Sequence, residues 1–177
     1  MNSEMSNRIY NVLFLCTGNS VNCIMAEAIL NHFGKGRFQA FSAYINPVEQ
    51  VNPLALEQIR RANLSSEGLC SKNWNVFTLP DAPQLDIVIR VCGQVEKEKC
   101  SNFPGKPVFA NWVIERTHDL EGSEETQRRA ISIAFAQLNW RISIFVNIPF
   151  TKLSEMALKN ELDNIALLHE RRSSSRL

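Results

Sequence analysis

Residues 9–16, IYNVLFLC, form a near-continuous apolar run that stops at Thr17-Gly18-Asn19-Ser20. Without polar alternation, such a run predicts a strand buried on both faces that enters a tight loop. The period then changes. Ile24, Met25, Ala28, Ile29 and Phe33 recur at helical spacing as far as Gly34, which predicts a helix from Asn22. Residues 38–43 read as a short second strand. Asn52-Pro53 opens a helix that runs to about Arg61: Asn accepts an otherwise unbonded N–H, and Pro lacks one where none is needed.

Residues 85–92, LDIVIRVC, are the second strong strand pattern. A charged helical turn over 95–99 follows and ends near Cys100, and residues 108–111 predict a short fourth strand. Ser123-Glu124-Glu125 caps a long helix whose apolar face is Ile131, Phe135, Leu138, Ile142 and Phe145, and Pro149 ends it. A last amphipathic helix, about 152–169, carries Leu153, Met156, Leu158, Leu162, Ile165 and Leu168. Its stripe is expected to pack on the domain or on a second subunit as a homodimer.

Strands alternating with helices predict an α/β fold with a parallel sheet covered on both faces. The expected layout is a polar extension over 1–8, one domain over 9–150, the C-terminal helix over 151–170 and a frayed Arg/Ser-rich tail over 171–177. The 177 residues suffice for one full hydrophobic core. Nineteen Lys and Arg against eighteen Asp and Glu leave a net charge of +1, which gives no field to draw nucleic acid or an anionic membrane. With no apolar run near the length of a membrane span and a polar N-terminus, a cytoplasmic protein is expected. Five cysteines, an odd number, do not suggest a secreted disulfide scaffold.

Ligands of open parallel sheets sit beyond the carboxyl ends of the strands, where Cys16 and its loop are expected. In the segment Cys16, Thr17, Gly18, Asn19, Ser20, Val21, Asn22 and Cys23, Gly18 is expected to supply a positive φ and Asn19 to tolerate one. The loop then turns its N–H groups inward as an anion nest at a helix N-terminus, a setting that stabilises a thiolate and makes it nucleophilic. The same spacing also fits a buried strand-end cysteine beside an ordinary turn.

The order of motifs adds to this reading. Val12-Leu13-Phe14-Leu15-Cys16-Thr17-Gly18-Asn19-Ser20 is followed by Ile24-Met25-Ala26-Glu27-Ala28, Ser42-Ala43, Val51-Asn52-Pro53-Leu54-Ala55-Leu56, Ser71-Lys72-Asn73-Trp74, Leu85-Asp86, Val91-Cys92, Glu121-Gly122-Ser123-Glu124 and Arg128-Arg129-Ala130. Over roughly residues 9–165 the chain resembles the low-molecular-weight tyrosine phosphatase and arsenate reductase superfamily, its arsenate reductase branch most closely. The resemblance implies a three-layer, doubly wound, four-stranded parallel sheet, with the C-terminal amphipathic helix as an addition. It also implies an oxyanion ligand (arsenate, phosphate or sulfate), no bound cofactor, and an external reducing thiol such as thioredoxin or glutathione.

On the thiol-dependent reductase pattern, Cys16 attacks arsenic, Cys92 displaces arsenite by forming a disulfide with Cys16, and Cys100 relays the disulfide outward. No CxxC pair occurs and the three His are scattered, so no metal site is expected. Trp74, Trp112 and Trp140 read as packing residues.

The departures fall at the chemistry. The resemblance places an Arg where Asn22 stands, a Ser or Thr at Cys23, a general-acid Asp at Arg116 and a Gly at Tyr44. Asn replaces a charged fork of donors by one neutral amide, and Arg donates no proton at neutral pH. Asp119 and Arg116 are accessory candidates, the first as an acid near the lost position and the second as a cation over the loop. Phosphomonoester hydrolysis is expected to suffer most, because it needs both missing groups. Three readings stay open: an impaired arsenate reductase-like thiol enzyme, a catalytically silent anion-binding or protein-interaction module, and a tyrosine phosphatase. Cys23 is expected within a few ångströms of Cys16, so that mild oxidation joins the two in competition with a Cys16–Cys92 bridge.

Overall fold

A computed structural model describes residues 8–18, 21–92, 102–114 and 121–174, with side chains as far as 168. Its elements are β1 (Tyr10–Cys16), α1 (Asn22–Phe33), β2 (Phe38–Tyr44), α2 (Pro53–Arg61), a 3₁₀ turn (Trp74–Thr78), β3 (Ile87–Arg90), β4 (Val108–Asn111), α3 (Glu124–Phe145), a second 3₁₀ turn (Phe150–Lys152) and α4 (Glu155–Ser174). The expected turn over 95–99 lies outside the described residues.

The strands form one parallel sheet in the order β2-β1-β3-β4. β1 is central, and the chain leaves it first for β2 on one side and later for β3 on the other. The crevice between the carboxyl ends of β1 and β3 is therefore the switch point at which such sheets bind ligands. Alternation along β1 divides its side chains. Val12, Phe14 and Cys16 enter a large cluster with α1, α2, α3 and α4, whereas Leu13 and Leu15 enter a smaller one with Phe77, Leu85, Val88 and Phe103. Burial on both faces explains the unbroken apolar run of β1.

α1 is more than amphipathic. Asn22 to Leu30 are all buried, because the helix is covered by the sheet on one side and by α2 and α3 on the other. α2 starts as its sequence predicts, with the Asn52 side chain accepting from the Leu54 N–H at 2.9 Å and Pro53 in the first turn. α3 is capped by Ser123, whose Oγ accepts from the Thr126 N–H at 3.3 Å. β3 is shorter than the expected strand because residues on both sides of it leave regular pairing, although Val91 N–H still reaches Leu15 O at 3.2 Å.

The last helix begins at Glu155 rather than 152, since Pro149 leads into the second 3₁₀ turn and Ser154 Oγ then accepts from Ala157 N–H at 3.2 Å. It packs on the domain itself. Leu162 and Ile165 are buried, and Trp112, also fully buried, donates its indole N–H to Leu162 O at 3.0 Å. The expected stripe is only partly correct: Met156 is 76% exposed and Leu168 43%, because the docked face is narrower than the apolar pattern. Among the described residues no helix is long and apolar enough to cross a membrane.

Candidate active site

Cys16 ends β1 at the switch point. Its backbone is fixed on the β2 side, where Ile45 N–H donates to Cys16 O at 3.0 Å and Asn46 N–H to Thr17 O at 2.7 Å. Gly18 serves the loop differently from the sequence expectation, for it does not adopt a positive φ. A Cβ there would lie 2.4 Å from Asn46 O, so close backbone approach, not left-handed geometry, demands glycine. Asn19 and Ser20 lie outside the described residues. Val21 occupies the N-cap position of α1 and makes no side-chain cap bond. Asn22 and Cys23 are the first helical residues and are fully buried.

The structure closes a disulfide between Cys16 and Cys23, with Cα atoms 6.3 Å apart. Strand end and helix start are thus joined across the loop, and both sulfurs lie in the large buried cluster. Cys92, just past β3, is a half-buried free thiol that touches both hydrophobic clusters. Cys70 is free and exposed. Cys100, Arg116 and Asp119 lie outside the described residues, so of the three expected relay thiols only Cys16 and Cys92 are placed, at adjacent strand ends.

Arg90 is the buried cation nearest in sequence to Cys92, but it does not stand in for a loop arginine. It pairs in register with Leu15, so alternation carries it to the face opposite Cys16, where its guanidinium lies 4.8 Å from the centre of the Phe109 ring.

Residues 11–115 match the family model of the low molecular weight phosphotyrosine protein phosphatases. The chain belongs to this family. Its curated relatives include the arsenate reductase of Shouchella clausii, 26% identical over 141 residues that span 80% of this chain and 96% of the relative. Among solved structures, an arsenate reductase in the phosphate binding state superposes with a TM-score of 0.58 at 22% identity, covering 77% of this chain and 96% of that one. The thioredoxin-dependent arsenate reductase of Corynebacterium glutamicum superposes with a TM-score of 0.52 at 23% identity, covering 79% and 65%. These matches place the chain on the arsenate reductase branch of the phosphatase family.

Within that family fold, two features escaped the sequence reading. Glu27, Ser42 and Lys72, each inside a motif taken only as a sign of ancestry, converge beside the site. The Ser42 hydroxyl donates to the buried Glu27 carboxylate, and Lys72 Nζ lies 3.9 Å from it. Burial raises the Glu27 pKa above the ordinary carboxylate range, while Lys72 and the Ser42 hydrogen bonds oppose the rise. The second feature is Tyr44. It is buried, and burial first, then the nearby Glu27, Cys92 and Cys70, raises its pKa, against a hydrogen bond from the Ile24 backbone N–H. Tyr44 is therefore a neutral phenol beside the first turn of α1. The cavity beside it, lined by Val21, Ile24, Tyr44, Val51 and Ser71, measures about 10 Å³, close to the least that holds one water.

Proposed function

We propose that the chain is an arsenate reductase-like thiol enzyme. Cys16 attacks arsenate held by the backbone of Thr17, Gly18, Asn19, Ser20, Val21, Asn22 and Cys23, and the resulting disulfide is passed through Cys92 and Cys100 to an external dithiol of the thioredoxin type. The observation that carries this reading is the Cys16–Cys23 disulfide at the switch point of the sheet, with the free Cys92 at the end of the adjacent strand. Redox thiols gathered at a strand-to-helix loop fit two-electron chemistry better than hydrolysis.

The α1 N-terminus and the loop N–H groups stabilise both the Cys16 thiolate and a bound oxyanion. With Asn22 in place of Arg, the loop keeps its backbone donors and loses a charge-assisted fork, so arsenate binds more weakly and turnover is slower. The thioredoxin dependence of the Corynebacterium glutamicum protein supports the choice of reductant. The test is thioredoxin-coupled arsenate reduction by the wild type, Cys16→Ser and Asn22→Arg. Cys16-dependent turnover that rises in Asn22→Arg supports the reading, and no turnover in either protein overturns it.

Tyr44 favours a second reading. Its buried side chain stands beside Cys16 where the resemblance places a glycine, as in a catalytically silent member that serves as a binding or interaction module. Absence of turnover together with phosphate shifts in the amides of 17–23 identifies an anion-binding module.

A further inference from the structure

We propose that Cys23 is the thiol that resolves the Cys16–arsenic adduct, so that the first disulfide of the reaction closes inside the loop and Cys92 acts only afterwards. The proposal rests on the arsenate reductase reading and assigns its second chemical step to a residue outside the relay implied by resemblance.

The two sulfurs are held for this encounter from both ends. Cys16 is fixed by pairing with Tyr44 on β2 and by the Ile45 N–H on its carbonyl. Cys23 is fixed by the burial of the first turns of α1. Their Cα separation of 6.3 Å lies within the usual span for a disulfide, so they meet without a change in either element. An attack between two groups so positioned is effectively intramolecular, with much of the entropic cost already met by folding. Cys92 is placed otherwise. It lies past the end of β3, half-buried, and touches both hydrophobic clusters, whereas Cys16 and Cys23 lie wholly inside the larger one. It remains a free thiol where Cys16 and Cys23 are bonded.

The steps balance. The Cys16 thiolate attacks arsenic(V), forming an S–As bond while one arsenate hydroxyl takes a proton from solvent and leaves as water. The Cys23 thiolate then attacks Cys16 Sγ. The S–S bond forms, the S–As bond breaks, and its electron pair stays on arsenic, which leaves as arsenite. Two thiols have supplied two electrons. Because the Cys16–Cys23 disulfide is fully buried, an external dithiol has no direct path to it. The half-buried Cys92 does: its thiolate attacks the buried disulfide and presents the new bridge for reduction by a dithiol, which is oxidised in turn.

The test is a single turnover. Fully reduced wild type, freed of external thiol under anaerobic conditions, is mixed with excess arsenate. It is quenched with acid and an alkylating agent over time, and arsenite release and disulfide connectivity are read together. The expected result is a burst of about one arsenite per chain, with Cys16–Cys23 as the bridge at the earliest times. Cys23→Ser and Cys23→Ala are expected to lower the burst rate on the order of 10²-fold. An early Cys16–Cys92 bridge with Cys23 alkylated overturns the proposal and leaves the arsenate reductase reading intact. No arsenite from the wild type overturns that reading and this proposal with it. Connectivity in the wild type decides the matter even if a Cys23 variant fails to fold.

Discussion

Cys16 and Tyr44 face each other in register as the last pair of β1 and β2, so the residue that stands where the resemblance places a glycine lies beside the proposed nucleophile. Tyr44 is buried against the start of α1 and lines the small cavity described above.

Tyr44→Gly is expected to open that space at the cost of packing. Loss of a buried aromatic side chain lowers stability by about 3–5 kcal/mol. Phosphate affinity is expected to rise in the reduced protein, because space opens beside the helix-start N–H groups for an anion. Denaturant unfolding and phosphate titration followed by amide NMR check the two effects. Unchanged phosphate affinity would show that Tyr44 does not occupy the anion position.

Glu27 makes stability depend on pH. Its folded pKa is raised by burial, so the native state holds the proton more tightly than the unfolded chain does. Its contribution is fully present below the ordinary Glu pKa and is lost as pH rises through the folded value. Melting temperature is expected to fall across that window in the wild type and to fall less in Glu27→Gln. Parallel pH profiles for the two proteins would remove Glu27 from this account.

Aryl phosphate hydrolysis is expected to be negligible. With Asn22 and Arg116 where the family resemblance places the loop Arg and the general acid, the loss is at least about 10²–10³ in rate. Turnover within tenfold of an intact family member, abolished by Cys16→Ser, would contradict this expectation.

Leu162 tests the docking of α4. The side chain is fully buried and its carbonyl accepts the Trp112 indole N–H. Leu162→Ala is expected to lower stability by about 2–5 kcal/mol, and truncation after Pro149 is expected to shift Trp112 fluorescence to the red. A truncated chain with unchanged emission would mean that α4 does not shield the indole.

The helix starts at Asn52 and Ser123, the apolar run of β1 and the alternation of strands with helices that makes the sheet parallel were all legible along the chain. Each depends on neighbours in sequence: a cap bonds two or three residues on, and a strand buried on both faces has no polar alternation to lose. The same is true of Cys16 in its loop, which local spacing and motif order bring forward together. The role of Gly18 was not legible, because the atom that excludes a side chain there belongs to Asn46, on another strand's continuation.

By itself, then, the sequence determined an α/β domain of the phosphatase family with a cysteine at a strand-to-helix loop and with Asn22, Tyr44 and Arg116 where its pattern departs. Only the tertiary structure decided between the Cys16–Cys23 and Cys16–Cys92 bridges that the sequence left in competition, brought Glu27, Ser42 and Lys72 together, and buried Tyr44 against the start of α1. These partners lie on different elements, and their distances are set by strand register and helix packing, which no local spacing encodes.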